Sequence, residues 1–413
     1  MMNRVLKTGK KNREINNLIF YIALSLWYFI GILNETVLVE TSLGIGVVLT
    51  LRWVIRILLI IKILRQTYYR KDFFRVILFG TIMLFSFYMS NYQELIWLLL
   101  FVIAAQNIEM RPVVKVTLIT TLVTVLAVIA LAAIGFIYNE VVYSINIYNG
   151  TYSIVRLYGF SHHNFLGCRI FLIYMCYVFL YYDNFKWMDY GIGIACSTIL
   201  YAIFRSRTSA VLLALSVLII FMLKVLEKLE KKQGKAMVKF FIYSMMLFSL
   251  VFSIVVTIGY QMGNPFCIAI NTLIYKRFSY ASSILSEYGL SLFGQKIALV
   301  SSIDAIDLGI NAVILDNAYM LMLIRCGLVF FLLVMLSSFY VVNKSINEKN
   351  YKIAVVIVLY FICGISEKWL FTVSYNPFVL LSSMLLFNKN CYMAMEERGR
   401  FPVRHFRFRI IKE

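Results

Sequence analysis

Apolar runs long enough to cross a lipid bilayer recur from one end of this chain to the other, and no other feature limits its folding so strongly. A bilayer core needs roughly 20 consecutive apolar residues in helical form. The runs are continuous, whereas the strands of a membrane β-barrel alternate apolar and polar positions. About twelve helices are expected, near residues 18–34, 42–62, 73–91, 93–107, 113–138, 164–182, 188–204, 208–224, 240–262, 317–342, 353–371 and 374–388. The fourth, seventh and twelfth are short. Composition agrees: 62% of the 413 residues are hydrophobic, and the 15% that are charged fall below the roughly 25% of a soluble domain. The expected fold is all-α and polytopic, a single integral membrane domain over residues 1–413. Disordered, coiled-coil and disulfide-scaffold architectures are excluded. The first apolar run is long and has no small-residue cleavage site, so no cleavable signal is expected.

The formal charge is +20, from 40 Lys and Arg against 20 Asp and Glu. In a soluble protein that excess would suggest nucleic acid. Here it follows the membrane instead, because cytoplasmic loops concentrate Lys and Arg. With twelve alternating spans, about 29 of the 40 cations and about 11 of the 20 acids share one side. Both termini are then cytoplasmic, the tail 389–413 is basic enough to lie on anionic membrane lipid, and no nucleic-acid partner is expected. Two extracytoplasmic segments remain. One is 139–163; the other is the large loop 263–316, whose apolar stretches 266–274 and 281–293 predict short helices on the outer membrane face. Structureless loops of this length are uncommon and usually functional. The seven cysteines form no Cys-x-x-Cys pair and read as small core residues, with no metal or redox site.

An arginine within a bilayer costs about 2.5–3.5 kcal/mol on insertion scales, so each needs a reason. Arg52 and Arg56 share a helix face in the second run, and Arg325 lies in the tenth. Arg156, Arg169, Arg205 and Arg207 sit at outer ends of spans, against the positive-inside trend. Each alone reads as well as a snorkelling residue or half of a buried ion pair. As a set they have too few acids nearby in sequence to pair them all, and several guanidinium groups in one outer cavity would grip phosphate in bidentate fashion. His162 and His163 enter the sixth run, where Ser161 or Asn164 would cap the helix start. A polar active-site wall is the alternative. Adjacent histidines without carboxylates do not suit a metal. Asp316, at the end of the large loop, reads equally as a helix N-cap or as a carboxylate base. The tyrosines 138, 143, 148, 152 and 158 are either a sugar-stacking surface or an interfacial belt.

Three motif segments carry a resemblance. They are Arg156, Gly159 and the run His163, Asn164, Phe165, Leu166, Gly167; the pair Ser206 and Arg207; and Asp316, Asn317, Tyr319 and, further on, Gly327. In order and placement they resemble the bacterial O-antigen polymerase and O-antigen ligase family, most closely its Wzy-type capsular polysaccharide polymerases. Residues 289–294, with Lys276 and Arg277 before them, resemble that family's loop stretch. The resemblance spans roughly residues 150–340. Polymerases often carry Pro where this chain has His163, and ligases carry His where it has Asp316; the second difference favours polymerase. The resemblance implies a GT-C-like helical architecture in the bacterial plasma membrane. It implies a glycosyltransferase without cofactor that takes an undecaprenyl-diphosphate-linked oligosaccharide, alongside a chain-length regulator and a flippase. Arg156, Arg205, Arg207 and Arg277 would bind the diphosphate. Asp316, His163 or His162 would be the base, with Asn164, Asn317, Tyr319, Arg169 and Arg325 in support. The scarcity of acids on that face argues against a Mg²⁺ site, which needs oxygen ligands.

Rival readings are a lipid-linked oligosaccharide flippase, a ligase acting on another acceptor, and a scaffold without activity. Transporters usually show internal repeats and midplane sites; here no repeat is visible and the large loop is single. Reporters fused after Lys232 and after Glu413 are expected to signal cytoplasm and one near Ser301 the exterior. A cytoplasmic signal at Ser301 would overturn the span count.

Overall fold

The computed structural model describes residues 2–145, 152–233, 236–274, 276–300, 305, 309–310, 312–387 and 410–411. In chain order the longer helices begin with α1 (Met2–Leu33), α2 (Ser42–Leu64), α3 (Arg70–Ser90), α4 (Glu94–Ala104), α5 (Met110–Ala133) and α6 (His163–Tyr181). Then come α7 (Trp187–Ala202), α8 (Arg207–Gln233), α9 (Ala236–Gln261), α10 (Pro265–Leu273) and α11 (Arg277–Tyr288), followed by helices Leu328–Asn347 and Tyr351–Cys363. Among the described residues, 7 helices are long and apolar enough to cross a membrane, beginning at Arg13, Arg70, Met110, His163, Arg207, Ala236 and Leu328. The protein is a polytopic helical membrane protein.

The remaining expected spans take other forms. α2 has 23 residues but carries Arg52, Arg56 and Lys62. α4 has 11 residues, α7 has 16 and Tyr351–Cys363 has 13, all short of the roughly 20 that a straight crossing needs. The run 317–342 is interrupted at Gly327, and 374–388 forms a 3-10 helix, Pro377–Ser382, followed by one α-turn. The loop expectation at 266–274 is met by α10, whose start is fixed by Asn264: its side chain accepts from the Phe266 and Cys267 N–H groups, with Pro265 in the first turn. Segment 139–163 contains an antiparallel hairpin, Val141–Ile145 with Tyr152–Arg156. Residues 146–151, with Tyr148, lie outside the described residues, as do Ser301, Cys391, His405 and the basic tail apart from Ile410 and Ile411.

The chain forms two compact units. The first comprises residues up to Tyr68 together with Ala104–Phe221. In it α1 packs on α2 and α5, and α5 on α6. Its core near the hairpin is Ile32, Val125, Val128, Ala132, Ile137, Phe160 and Leu166. The backbone leaving α1 is tied to the backbone entering α6: the Val37 N–H donates to the Gly159 carbonyl at 3.3 Å and the Ser161 N–H to the Glu35 carbonyl at 2.9 Å.

The second unit comprises Tyr69–Ile103 and Met222–Met393. α9 packs on α10, α11 and Tyr351–Cys363. Two helix breaks define it. Residues Leu321–Cys326 form a π-helix that stops at Gly327, where φ is +98°. Backbone groups freed in an apolar surround must find partners within the protein, and here residues 289–295 supply them. The Leu328 and Val329 N–H groups donate to the carbonyls of Ser291 and Leu292 at 2.9 and 3.0 Å. The Arg325 carbonyl accepts from the Gln295 N–H at 3.0 Å, and the Ile324 carbonyl from Gln295 Nε2 at 3.1 Å. Two glycines permit the approach: a Cβ on Gly327 would meet the Gly294 nitrogen at 2.3 Å, and one on Gly294 the Arg325 carbonyl oxygen at 2.6 Å.

Gly327→Ala should therefore destabilise the folded protein by at least about 2 kcal/mol, from backbone strain plus collision. Gly46→Ala in α2, where a Cβ would meet nothing within 4 Å, should be neutral. Thermal unfolding of both variants in detergent checks this; equal transition temperatures would contradict it.

Candidate functional site

The motif residues fall into two groups, one in each unit. In the first unit, α6 starts with a left-over donor that must be satisfied. The cap is His162, not Ser161 or Asn164 as expected: its Nδ1 accepts from the Asn164 N–H at 3.2 Å. Ser161 Oγ instead donates to the Glu35 carbonyl at 3.1 Å. With its ring used in this way, His162 lies 4.2 Å from the ring of His163, tilted by 31°. His163 is within electrostatic reach of Arg207.

The second motif meets the first directly. Ser206 Oγ donates to Asn164 Oδ1 at 3.2 Å. One turn along α6, a Cβ on Gly167 would meet Ser206 Oγ at 2.1 Å. The absent side chain at 167 is what lets α6 and the start of α8 touch. His162, His163, Asn164, Gly167, Ser206 and Arg207 thus share one corner. Arg205 stands beside it, exposed and in the left-handed region at φ +54°. Arg156 is exposed on the hairpin strand leading into the corner, opposite Val141. Tyr158 packs edge-on against Phe204 at 5.1 Å. Tyr138 is exposed.

Two of the candidate arginines are paired with acids distant in sequence. Arg169 is fully buried and bidentate with Glu35, Nε to Oε2 at 2.8 Å and Nη2 to Oε1 at 2.7 Å. It is half of a buried ion pair. In the second unit, Arg277 of α11 is buried and bridges two carboxylates: Nη2 to Glu367 Oε1 at 2.8 Å and Nη1 to Asp316 Oδ2 at 3.2 Å. Arg277 is thereby held by the protein's own acids. Asp316 is the outer member, its side chain 31% exposed against 9% for Glu367.

The cap reading of Asp316 is also corrected. The next residue does that work: Asn317 Oδ1 accepts from the N–H groups of Tyr319 and Met320, both at 3.0 Å. Its Nδ2 donates to the Ile365 carbonyl at 2.9 Å, past the end of helix Tyr351–Cys363, and the Ala318 N–H donates to the Gly364 carbonyl at 2.9 Å. Tyr319 is fully buried, donating to the Phe361 carbonyl at 2.7 Å with its oxygen 2.8 Å from Ser249 Oγ. Asn317 and Tyr319 therefore fasten the motif to the second helix break, leaving Asp316 at its edge. Arg325, in the π-helix, lies over the ring of Tyr92 at 4.7 Å. In α2, Arg56 lies over Trp53 at 4.8 Å.

Sequence reasoning passed over Glu35, Tyr92, Gln295 and Glu367. For Glu367 a signal existed: it is an acid inside an expected span, and the rule that flagged the intramembrane arginines applies to carboxylates too. Glu35 and Gln295 carry no such mark. The apolar cavity lined by residues such as Phe79, Leu98, Tyr360 and Phe378 includes none of the motif residues. Compared with known proteins, the chain matches no family profile, no curated protein and no solved structure.

Glu35→Gln should cost about 3–5 kcal/mol, because it strands a buried guanidinium. The double variant Glu35→Leu with Arg169→Met should recover most of that loss. Unfolding of the purified proteins decides; a double variant no better than the single would show that Arg169 answers to something other than Glu35.

Proposed function

We propose that this chain is a polysaccharide polymerase of the bacterial plasma membrane. It crosses the bilayer about twelve times, with both termini cytoplasmic and residues 263–316 outside. Its substrate is an undecaprenyl-diphosphate-linked oligosaccharide. A hydroxyl at the non-reducing end of a newly arrived repeat unit attacks the anomeric carbon of the growing glycan. The bond from that carbon to the diphosphate oxygen breaks, undecaprenyl diphosphate leaves, and the hydroxyl proton passes to a base.

The observation that supports this reading is the contact between two motif segments 42 residues apart, Asn164 with Ser206, which brings the start of α8 to the start of α6. A cluster of guanidinium groups at a helix start is suited to a departing diphosphate, where fixed positive charge stabilises what develops as the bond breaks. Arg205 and Arg207 flank Ser206 with exposed and half-exposed side chains, and Arg156 is exposed on the hairpin strand that precedes the histidines. His163 is the base candidate there. Asp316 is the candidate in the second unit, where Glu367 shares its cation. With the buried acids Glu35 and Glu367 engaged by arginines, the reaction needs no divalent metal in this scheme.

The test is extension of a lipid-diphosphate-linked repeat unit by the protein in lipid vesicles. Arg156→Ala and Arg207→Ala should each lower extension by tenfold or more at unchanged protein level, and Arg→Lys should fall between, having lost the bidentate fork. Extension should survive EDTA. Full extension by both alanine variants would refute the role given to the arginines. Movement of the lipid-linked unit across the bilayer without any extension would favour the flippase reading.

A further inference from the structure

We propose that the guanidinium of Arg325, laid on the ring of Tyr92, is the anion-binding group of the second unit and takes a diphosphate. The choice of diphosphate as the anion rests on the polymerase reading; the site itself rests on geometry. Two arginines of this unit were candidates. Arg277 is spanned by Glu367 and Asp316, at 2.8 and 3.2 Å. Arg325 differs in every respect. Among the described residues no ion pair joins it to a carboxylate. Its Nε is buried and has no acceptor among the described residues. Its contact is with a π face, Cζ standing 4.7 Å from the Tyr92 ring centre. Such a contact fixes the plane of a guanidinium while leaving its edge donors unused.

The backbone beneath is fixed as well. The Arg325 carbonyl accepts from the Gln295 N–H, the Ile324 carbonyl accepts from Gln295 Nε2, and Gly294 permits the close approach. Tyr92 itself is braced edge-on by Phe371 at 6.2 Å. A flat, pre-oriented fork with spare donors matches the paired oxygens of a phosphate. Two sources could present that group, a prenyl diphosphate or free diphosphate.

The experiment measures binding of farnesyl diphosphate and of inorganic diphosphate to the purified full chain in nanodiscs, by calorimetry on monodisperse protein. Arg325→Gln should weaken binding at least tenfold, and Arg325→Lys several-fold, since the lysine keeps the charge and loses the fork. Tyr92→Leu should weaken it several-fold. Arg56→Gln, which removes a stacked cation in α2, should leave affinity unchanged. Weakening for both probes assigns the diphosphate group itself; weakening for farnesyl diphosphate alone assigns the lipid-borne form. If Arg325→Gln yields no folded protein, Arg325→Lys decides. Wild-type affinity in the lysine variant, or a change confined to association with phosphatidylglycerol vesicles, overturns the site. Protein that binds diphosphate through Arg325 yet extends no glycan would sink the polymerase reading and keep this site. Extension together with diphosphate affinity unchanged in Arg325→Gln would sink the site alone.

Discussion

Every break in a helix surrounded by apolar side chains exposes backbone donors and acceptors that have no water to turn to, and each unmet group costs several kcal/mol. The second unit is organised around meeting that demand twice. At Gly327 the partners come from residues 289–295, and one residue, Gln295, donates its backbone N–H to the Arg325 carbonyl and its side-chain amide to the Ile324 carbonyl. Beyond Cys363 they come from Asn317, Ala318 and Tyr319. The motif residues around Asp316 are therefore first of all backbone partners. Because they are fixed in that capacity, the carboxylate and the arginines beside it are held without help from a ligand.

The same economy governs charge. A guanidinium removed from water needs either a carboxylate or a surface that tolerates it. Arg169 and Arg277 have carboxylates. Arg325 and Arg56 have aromatic faces, and Arg156 and Arg205 remain exposed. This sorting separates arginines committed to the fold from those with donors to offer, which residue type and spacing alone do not do. It favours Arg325 over Arg277, whose donors are held by Glu367 and Asp316, as a ligand-binding group.

Much of the helical framework was legible from hydropathy, because period and length in an apolar run leave few options. The short helices α10 and α11 were legible too, from the apolar stretches 266–274 and 281–293. The breaks were not. A run such as 317–342 reads as one span, since a glycine within it is unremarkable until the partner glycine at 294 is known to lie against it. Cap candidates lay one or two residues from the caps that form, Asp316 beside Asn317 and Ser161 or Asn164 beside His162, because several polar residues in a row can each accept from a free N–H. The ion pairs escaped for a different reason. Glu35 meets Arg169 across 134 positions, and Glu367 meets Arg277 across 90. Proximity in sequence says nothing about such pairs.

The Glu35–Arg169 pair also bears on how the chain is made. A polypeptide enters the membrane from its N-terminus onward, so α1 and Glu35 are in place long before α6 is synthesised. When Arg169 follows, 134 residues later, its carboxylate is already waiting in the segment that leaves α1. The backbone ties between residues 35–37 and 159–161 bring the two together. The guanidinium of α6 therefore meets a partner that was made before it, and its charge need not stay unpaired among the apolar side chains around it.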